Sequence, residues 1–278
     1  MKGAVDWNEL WKLAMMSFPM ATTHSGTGNR SSGFAEQCNR YLMGRKGKER
    51  TEMEISKMKL NPEYSVLDIG SGQGRSAIPI SKRVKTVTAI DPSMIMMRYL
   101  SEHMAKEGAK NIVCINKRWE DIRLGHDIEP HDIAIASHSL GMFDMEEALK
   151  KIDAAAKRYV YLFANAGGHR DEVLLDVIYD EKQPSQQLDY IYLYNILHDL
   201  DIYANVEILD SELELEFDSL DDAMNEWRLV YGIPPERESA LRAYAERTLV
   251  KDENESSHYL RRKQKIAMIW WKKEDYDL

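Results

Sequence analysis

Three alternating glycines, Gly70, Gly72 and Gly74, follow the run Ser65-Val66-Leu67-Asp68-Ile69 without a break. Glycine at this spacing lets a ligand approach the backbone more closely than any Cβ permits, and it supports a turn that needs positive φ. With Asp68 just ahead, Ser71 inside the turn and a helical stretch behind it, the run forms a cradle of nucleotide size. Asp91 stands 17 residues beyond Gly74, at the end of a second apolar run, Thr86–Ile90. A carboxylate there accepts hydrogen bonds from both hydroxyls of a ribose, and with Pro92 and Ser93 it also begins a helix as a capping group.

Two further loops carry polar groups at the ends of apolar runs. Lys117-Arg118-Trp119-Glu120-Asp121-Ile122 follows Ile112–Asn116, and Ser137-His138-Ser139 follows Ile133–Ala136. The second of these lies on the edge where open α/β sheets place their ligands. His138, with an ordinary pKa of about 6.5, is suited to taking a proton from a nucleophile or orienting it near neutrality. It is equally suited to a structural hydrogen bond between strand and helix.

The elements that must position these residues follow from periodicity. Short β-branched runs alternate with helical stretches from Ser56 onward, the pattern of βαβ units around a parallel sheet. Strands are expected at Ser65–Ile69, Thr86–Ile90, Ile112–Asn116, Ile133–Ala136, Tyr159–Ala164, Asn205–Leu209 and Lys265–Lys272, with Glu212–Asp218 a separate half-exposed strand. Helices are expected over Trp7–Phe18, Ser185–Leu200, Leu220–Tyr231 and Pro235–Leu249, and the polar stretch Ala21–Gly33 reads as a loop. The division that results is an N-terminal helical cap (1–55), a core domain (56–209 and 259–278) and an inserted α+β lobe (210–258). Trp7, Trp11 and Phe34 in front, with Tyr190, Tyr194, Trp227 and Tyr231 behind, are candidates to roof the site.

Composition narrows the functional classes. The formal charge of -9 argues against a chain built to grip phosphate backbones, and the basic runs Arg45–Arg50 and Arg261–Lys265 read as solvated surface. No stretch has the apolar length of a membrane span, and the N-terminus lacks the marks of an export signal. Cys38 and Cys114 are the only cysteines, so neither a disulfide framework nor a structural zinc site is expected, which fits a reducing cytoplasm. A monomer or homodimer is the expected state.

The glycine turn also separates cofactor classes. A dinucleotide fingerprint has the form G-x-G-x-x-G, whereas this run is G-x-G-x-G with Arg75 where the third fingerprint glycine belongs. The run D-I-G-S-G-Q-G instead resembles motif I of the class I (Rossmann-like) S-adenosylmethionine-dependent methyltransferases, and the resemblance extends over about Ser56 to Lys272. It implies an α/β fold with a seven-stranded, mostly parallel, doubly wound sheet in the order 3-2-1-4-5-7-6. It also implies S-adenosyl-L-methionine held by Asp68, Gly70, Ser71, Gly72, Gly74, Asp91, Pro92, Ser93, Trp119, Glu120 and Ser137, with His138 as the catalytic candidate and no metal. Arg118 departs from the pattern, since it stands where an Asp commonly reads the adenine amino group. A small-molecule methyl acceptor is the favoured reading. A protein or RNA substrate, or a cofactor-binding protein without chemistry, is the alternative.

Overall fold

The computed structural model describes residues 5–17, 44–167, 171–179, 188–251 and 257–273. The stretch Ala21–Gly33, Phe34 and Cys38 lie outside the described residues. Helix α1 (Trp7–Ser17) begins where Asp6 Oδ1 accepts the Glu9 N–H at 3.0 Å. It docks through Trp11, whose Nε1 donates to the Met142 carbonyl at 2.9 Å. Helix α2 (Arg45–Ser56) precedes the sheet.

The sheet and its helices then alternate: β1 (Ser65–Ile69), α3 (Ala77–Ser81), β2 (Thr86–Ile90), α4 (Met94–Glu107), β3 (Ile112–Ile115), β4 (His131–Ser137), α5 (Met145–Ala154) and β5 (Ala156–Ala166). Helices α6 (Asp171–Tyr179) and α7 (Tyr190–Asp199) lead to β6 (Asn205–Phe217). The chain closes through α8 (Leu220–Tyr231), α9 (Glu238–Thr248), β7 (Val250–Lys251) and β8 (His258–Lys272). The sheet order is β3-β2-β1-β4-β5-β8-β6, with β7 paired to β8. This is the expected path, with β8 as the late strand between β5 and β6 and a two-residue strand added to the expected seven. β1 to β5 are parallel, whereas β8 runs antiparallel to both β5 and β6.

Alternation along each strand feeds two cores. Leu67, Ile69, Ala134, Ala136, Val160 and Leu162 pack on one face, and Val66, Ile133, Ile135, Tyr161 and Phe163 on the other. A sheet buried on both faces explains why the strands read as nearly continuous apolar runs. A third cluster, around Phe217, Trp227, Leu241 and Tyr244, fills the space between α6, α8, α9 and the far ends of β6 and β8.

Three expectations change. Asn205–Leu209 and Glu212–Asp218, read as separate strands, are one strand, because Asp210 and Ser211 stay in register with Lys265 and Gln264 of β8. The helix expected from Ser185 begins at Tyr190, behind the cap Asp189, whose Oδ1 accepts the Ile191 N–H at 3.2 Å; residues 180–187 lie outside the described residues. The basic runs are not simply solvated. Arg261 and Lys265 sit in β8 against the acids of β6, with Arg261–Glu214 at 2.7 Å and Lys265–Asp210 at 2.8 Å. Arg50 is buried within α2.

Candidate active site

The turn after β1 is held by the end of β2. Gly70 and Ser71 donate their N–H groups to the Ile90 carbonyl at 2.8 and 3.0 Å. Asp91, just beyond, takes the Gly72 N–H on Oδ2 at 2.9 Å and the Ser93 N–H on Oδ1 at 2.8 Å. One carboxylate therefore fixes both the glycine turn and the start of α4, where Ser93 Oγ accepts from Met96.

The glycines differ in what surrounds them. A Cβ on Gly70 would stand 2.2 Å from Ser139 Cβ, and one on Gly74 would stand 2.4 Å from Leu100 Cδ1. Gly72, at φ +55°, would meet nothing within 4 Å. The first two glycines are required by packing within the protein, while Gly72 faces open space. Beside it, Ser71 Oγ and Asp68 Oδ2 are buried without a hydrogen-bond partner. Burial raises the Asp68 carboxyl to about 7, against the pull of Arg75, with Asp91 adding to the rise. A cradle with open space at the central glycine, two orphaned polar atoms and an ordered carboxylate fits a ligand that brings hydroxyls and a cation.

The end of β4 is built differently. His138 has the left-handed φ of 54°, uncommon for a side chain with a Cβ, and donates its N–H to the Phe163 carbonyl at 2.8 Å. Its Nε2 lies 3.6 Å from Glu54 Oε1, and its side chain is 22% exposed. Glu54, on α2, receives Arg50 Nε at 2.9 Å on Oε1, and Arg75 Nη2 at 2.8 Å and Ser137 Oγ at 3.2 Å on Oε2. Arg75 also donates to Thr51 Oγ1 at 2.9 Å and to Ser137 Oγ. Burial works to raise the Glu54 carboxyl, but Arg75, the His138 ring and Arg50 together hold it well below the usual range. Burial and the two guanidiniums push His138 down to about 4 despite Glu54, so the ring is neutral at neutral pH.

Residues 66–158 match a family described as a methyltransferase domain. That segment, which spans β1 to β5, is similar to a methyltransferase domain. An uncharacterized protein of Haemophilus influenzae is 29% identical over 220 residues, 78% of this chain and 79% of that one. Two solved structures share the fold. YcgJ of Bacillus subtilis has a TM-score of 0.51 at 16% identity, covering 80% of this chain and 97% of that one. A precorrin-6y C5,15-methyltransferase of Geobacter metallireducens has a TM-score of 0.51 at 16% identity, covering 85% and 97%.

Within this fold, the sequence-predicted residues fall into two groups. Asp68, Gly70, Ser71, Gly72, Gly74, Asp91 and Ser93 converge on the turn, and Pro92 is exposed beside it. Ser137 and His138 lie together at the end of β4. Trp119 opens a single 3-10 turn after β3, but it is only 3% exposed, in the core, and its Nε1 donates to the Ala148 carbonyl at 3.3 Å. Any contact it makes with an adenine therefore falls to its backbone. Glu120 is exposed and paired with Arg118 at 3.4 Å.

Two of the proposed roof residues are packing residues instead: Trp11 is buried against Met142, and Trp227 stacks edge-on with Phe217 and Tyr244 in the third cluster. Sequence reasoning missed Arg50, Thr51 and Glu54. The R-x-x-x-E spacing of Arg50 and Glu54 marks a helical pair, but nothing in a charge-rich helix says that it points inward. Among the described residues no group of His, Cys, Asp and Glu is arranged to hold a metal ion, and no helix is long and apolar enough to cross a membrane.

Proposed function

We propose that the chain transfers a methyl group from S-adenosyl-L-methionine to a small-molecule acceptor. The observation that carries this reading is the cradle at Gly72, where open space, Asp91 and the orphaned Asp68 and Ser71 atoms meet at the head of β1. Asp91 holds the ribose hydroxyls, while Gly70, Ser71, Gly72 and Gly74 line the amino-acid part beside Asp68. Ser93 and Pro92 shape the start of α4, and the backbone at Trp119 and Glu120 borders the adenine. When bound, the cofactor supplies a methyl group on a sulfonium, and in-line displacement asks the protein chiefly for positioning and exclusion of water. His138 stands at the acceptor side as a neutral hydrogen-bonding group, with Ser137 beside it.

A small acceptor is supported by the fold shared with a precorrin methyltransferase, and by the basic runs being engaged with the protein's own acids. Residues 210–258 serve in this reading as the lobe that selects the acceptor, with 1–55 as the cap and 56–209 with 259–278 as the catalytic core. In this reading the reaction belongs to a reducing compartment such as the cytoplasm, where a free thiol like that of Cys114 persists.

Calorimetric titration with S-adenosylmethionine, S-adenosylhomocysteine and NAD, each alone, tests the proposal. Binding of the adenosyl ligands without NAD is the expected outcome. NAD binding alone, or wild-type affinity for S-adenosylhomocysteine in both Asp91→Ala and Gly72→Val, overturns it.

A further inference from the structure

We infer that Glu54 is a positioning residue that fixes the His138 ring with its proton on Nε2, so that Nδ1 is the basic nitrogen offered to the methyl acceptor. The inference rests on the methyltransferase reading and on His138 standing at the acceptor side. It adds to that reading a residue from α2, outside the segment 66–158 matched by the family.

The geometry supplies the argument. A ring nitrogen that turned its lone pair toward a carboxylate 3.6 Å away would face net repulsion, whereas an N–H there is attracted. The distance is longer than a formed hydrogen bond, as is common at sites that tighten when ligand binds. The carboxylate has little freedom to turn away, since Oε1 is engaged by Arg50 and Oε2 by Arg75 and Ser137. With its negative charge committed to two guanidiniums, Glu54 is poorly suited to act as a base itself. The ring is held from the other side by its backbone: the left-handed conformation of His138 persists because its N–H is tied to Phe163.

The charged groups around the ring are Arg50 and Glu54 from α2 and Arg75 from the glycine turn, with Asp68 of β1 facing Arg75. Burial, with the two arginines, keeps the imidazole neutral, and Glu54 chooses between its tautomers. This division of labour matters because a neutral imidazole has one basic nitrogen, and which one it is depends on the hydrogen bond made by the other.

The test uses the full-length, cofactor-free protein with 15N-labelled histidine. Long-range 1H–15N correlation spectra report the tautomer of each ring, and loss of one signal set in His138→Gln assigns the residue. At pH 7 the wild type is expected to show a single Nε2–H tautomer. Glu54→Asp, which keeps the charge but withdraws the carboxylate by one methylene, and Glu54→Gln are each expected to lose the single-tautomer signature and show a mixture.

An Nδ1–H tautomer or a mixture in the wild type overturns the inference, as does an unchanged single tautomer in either folded variant. Should Glu54→Gln not fold, the wild-type spectrum and Glu54→Asp still decide. Titration of the same samples with S-adenosylhomocysteine separates the two levels: failure to bind removes the methyltransferase reading, whereas a wrong tautomer in a protein that binds removes only the role of Glu54.

Discussion

The glycine turn and the His138 edge lie at the carboxyl ends of neighbouring strands, β1 and β4, yet they are built in opposite ways. The turn is made of main chain: three glycines, N–H groups donated to Ile90, and one carboxylate at the end of the next strand. The His138 edge is made of side chains drawn from three separate segments, with Glu54 of α2 joining Arg75 of the turn to Ser137 and His138 of β4. A main-chain site tolerates change in most side chains except where a Cβ intrudes. A side-chain network fails when any charged member is removed, because the others are left buried.

The sharpest way to break the second region is Glu54→Gln. It leaves Arg50 and Arg75, 7% and 8% exposed, without the anion between them. Removing one partner from a buried ion pair costs about 3–5 kcal/mol. Equilibrium denaturation is the measurement, and a loss below about 1 kcal/mol would mean that the network contributes little to the fold.

The glycines test the first region. Gly70→Ala adds a methyl 2.2 Å from Ser139 Cβ at φ +71°. Left-handed strain of about 1–2 kcal/mol and overpacking of about 1–3 kcal/mol should add. Gly72→Ala carries the strain of about 1–2 kcal/mol alone, since it meets no neighbour within 4 Å. It is expected to lose affinity for S-adenosylhomocysteine while the fold survives. Equal stability losses in the two variants would remove the distinction between a glycine kept for packing and one kept for a ligand.

The same contrast decides what was legible in the sequence. β1 and β2 follow the reading residue for residue, and α8 does as well, because a continuous apolar run ending in Gly or Asp, or a Ser219 cap followed by Gly232, is local information. The turn and Asp91 are legible for the same reason: the residues that meet there are close in sequence or at the ends of adjacent strands. Glu54 is not legible, because its partners Arg75 and Ser137 lie 21 and 83 residues away. Its own helix alternates charges as a solvated helix does. The long β6–β8 ribbon was partly hidden because its far half buries one face on α8 and α9 and pairs acids with bases on the other. Polar residues within it therefore read as breaks or as surface.

Titration sets the two regions against each other within one protein. Asp68, raised to about 7 from an ordinary 3.8, binds its proton more tightly in the folded state. Its contribution is fully present below pH 4 and is lost as pH rises through about 7. His138, lowered to about 4 from 6.5, binds its proton less tightly when folded. Its contribution is present above pH 6.5 and is lost as pH falls through about 4. Between pH 4 and 6.5 the two slopes oppose, so the wild type should be nearly flat there. Asp68→Asn should expose a loss of stability on acidification, and His138→Gln a gain, each on the order of 2–3 kcal/mol across the window. Parallel pH profiles in both variants would mean that neither group carries its assigned perturbation.

The smallest effect concerns how α2, which delivers Glu54, is fastened from outside. Lys57 pairs with Glu207 of β6 at 2.5 Å, and both side chains are about two-fifths exposed, at 40% and 43%. Arg45 reaches Glu214 of the same strand at 3.3 Å. Exposed pairs of this kind are worth below about 1 kcal/mol and weaken with salt. Lys57→Ala should therefore lower stability slightly at low ionic strength, with the difference from wild type closing as salt is added, and should leave the His138 tautomer unchanged. If it disturbs that tautomer as much as Glu54→Asp does, the surface clamp on β6, and not the buried arginines, sets the position of Glu54.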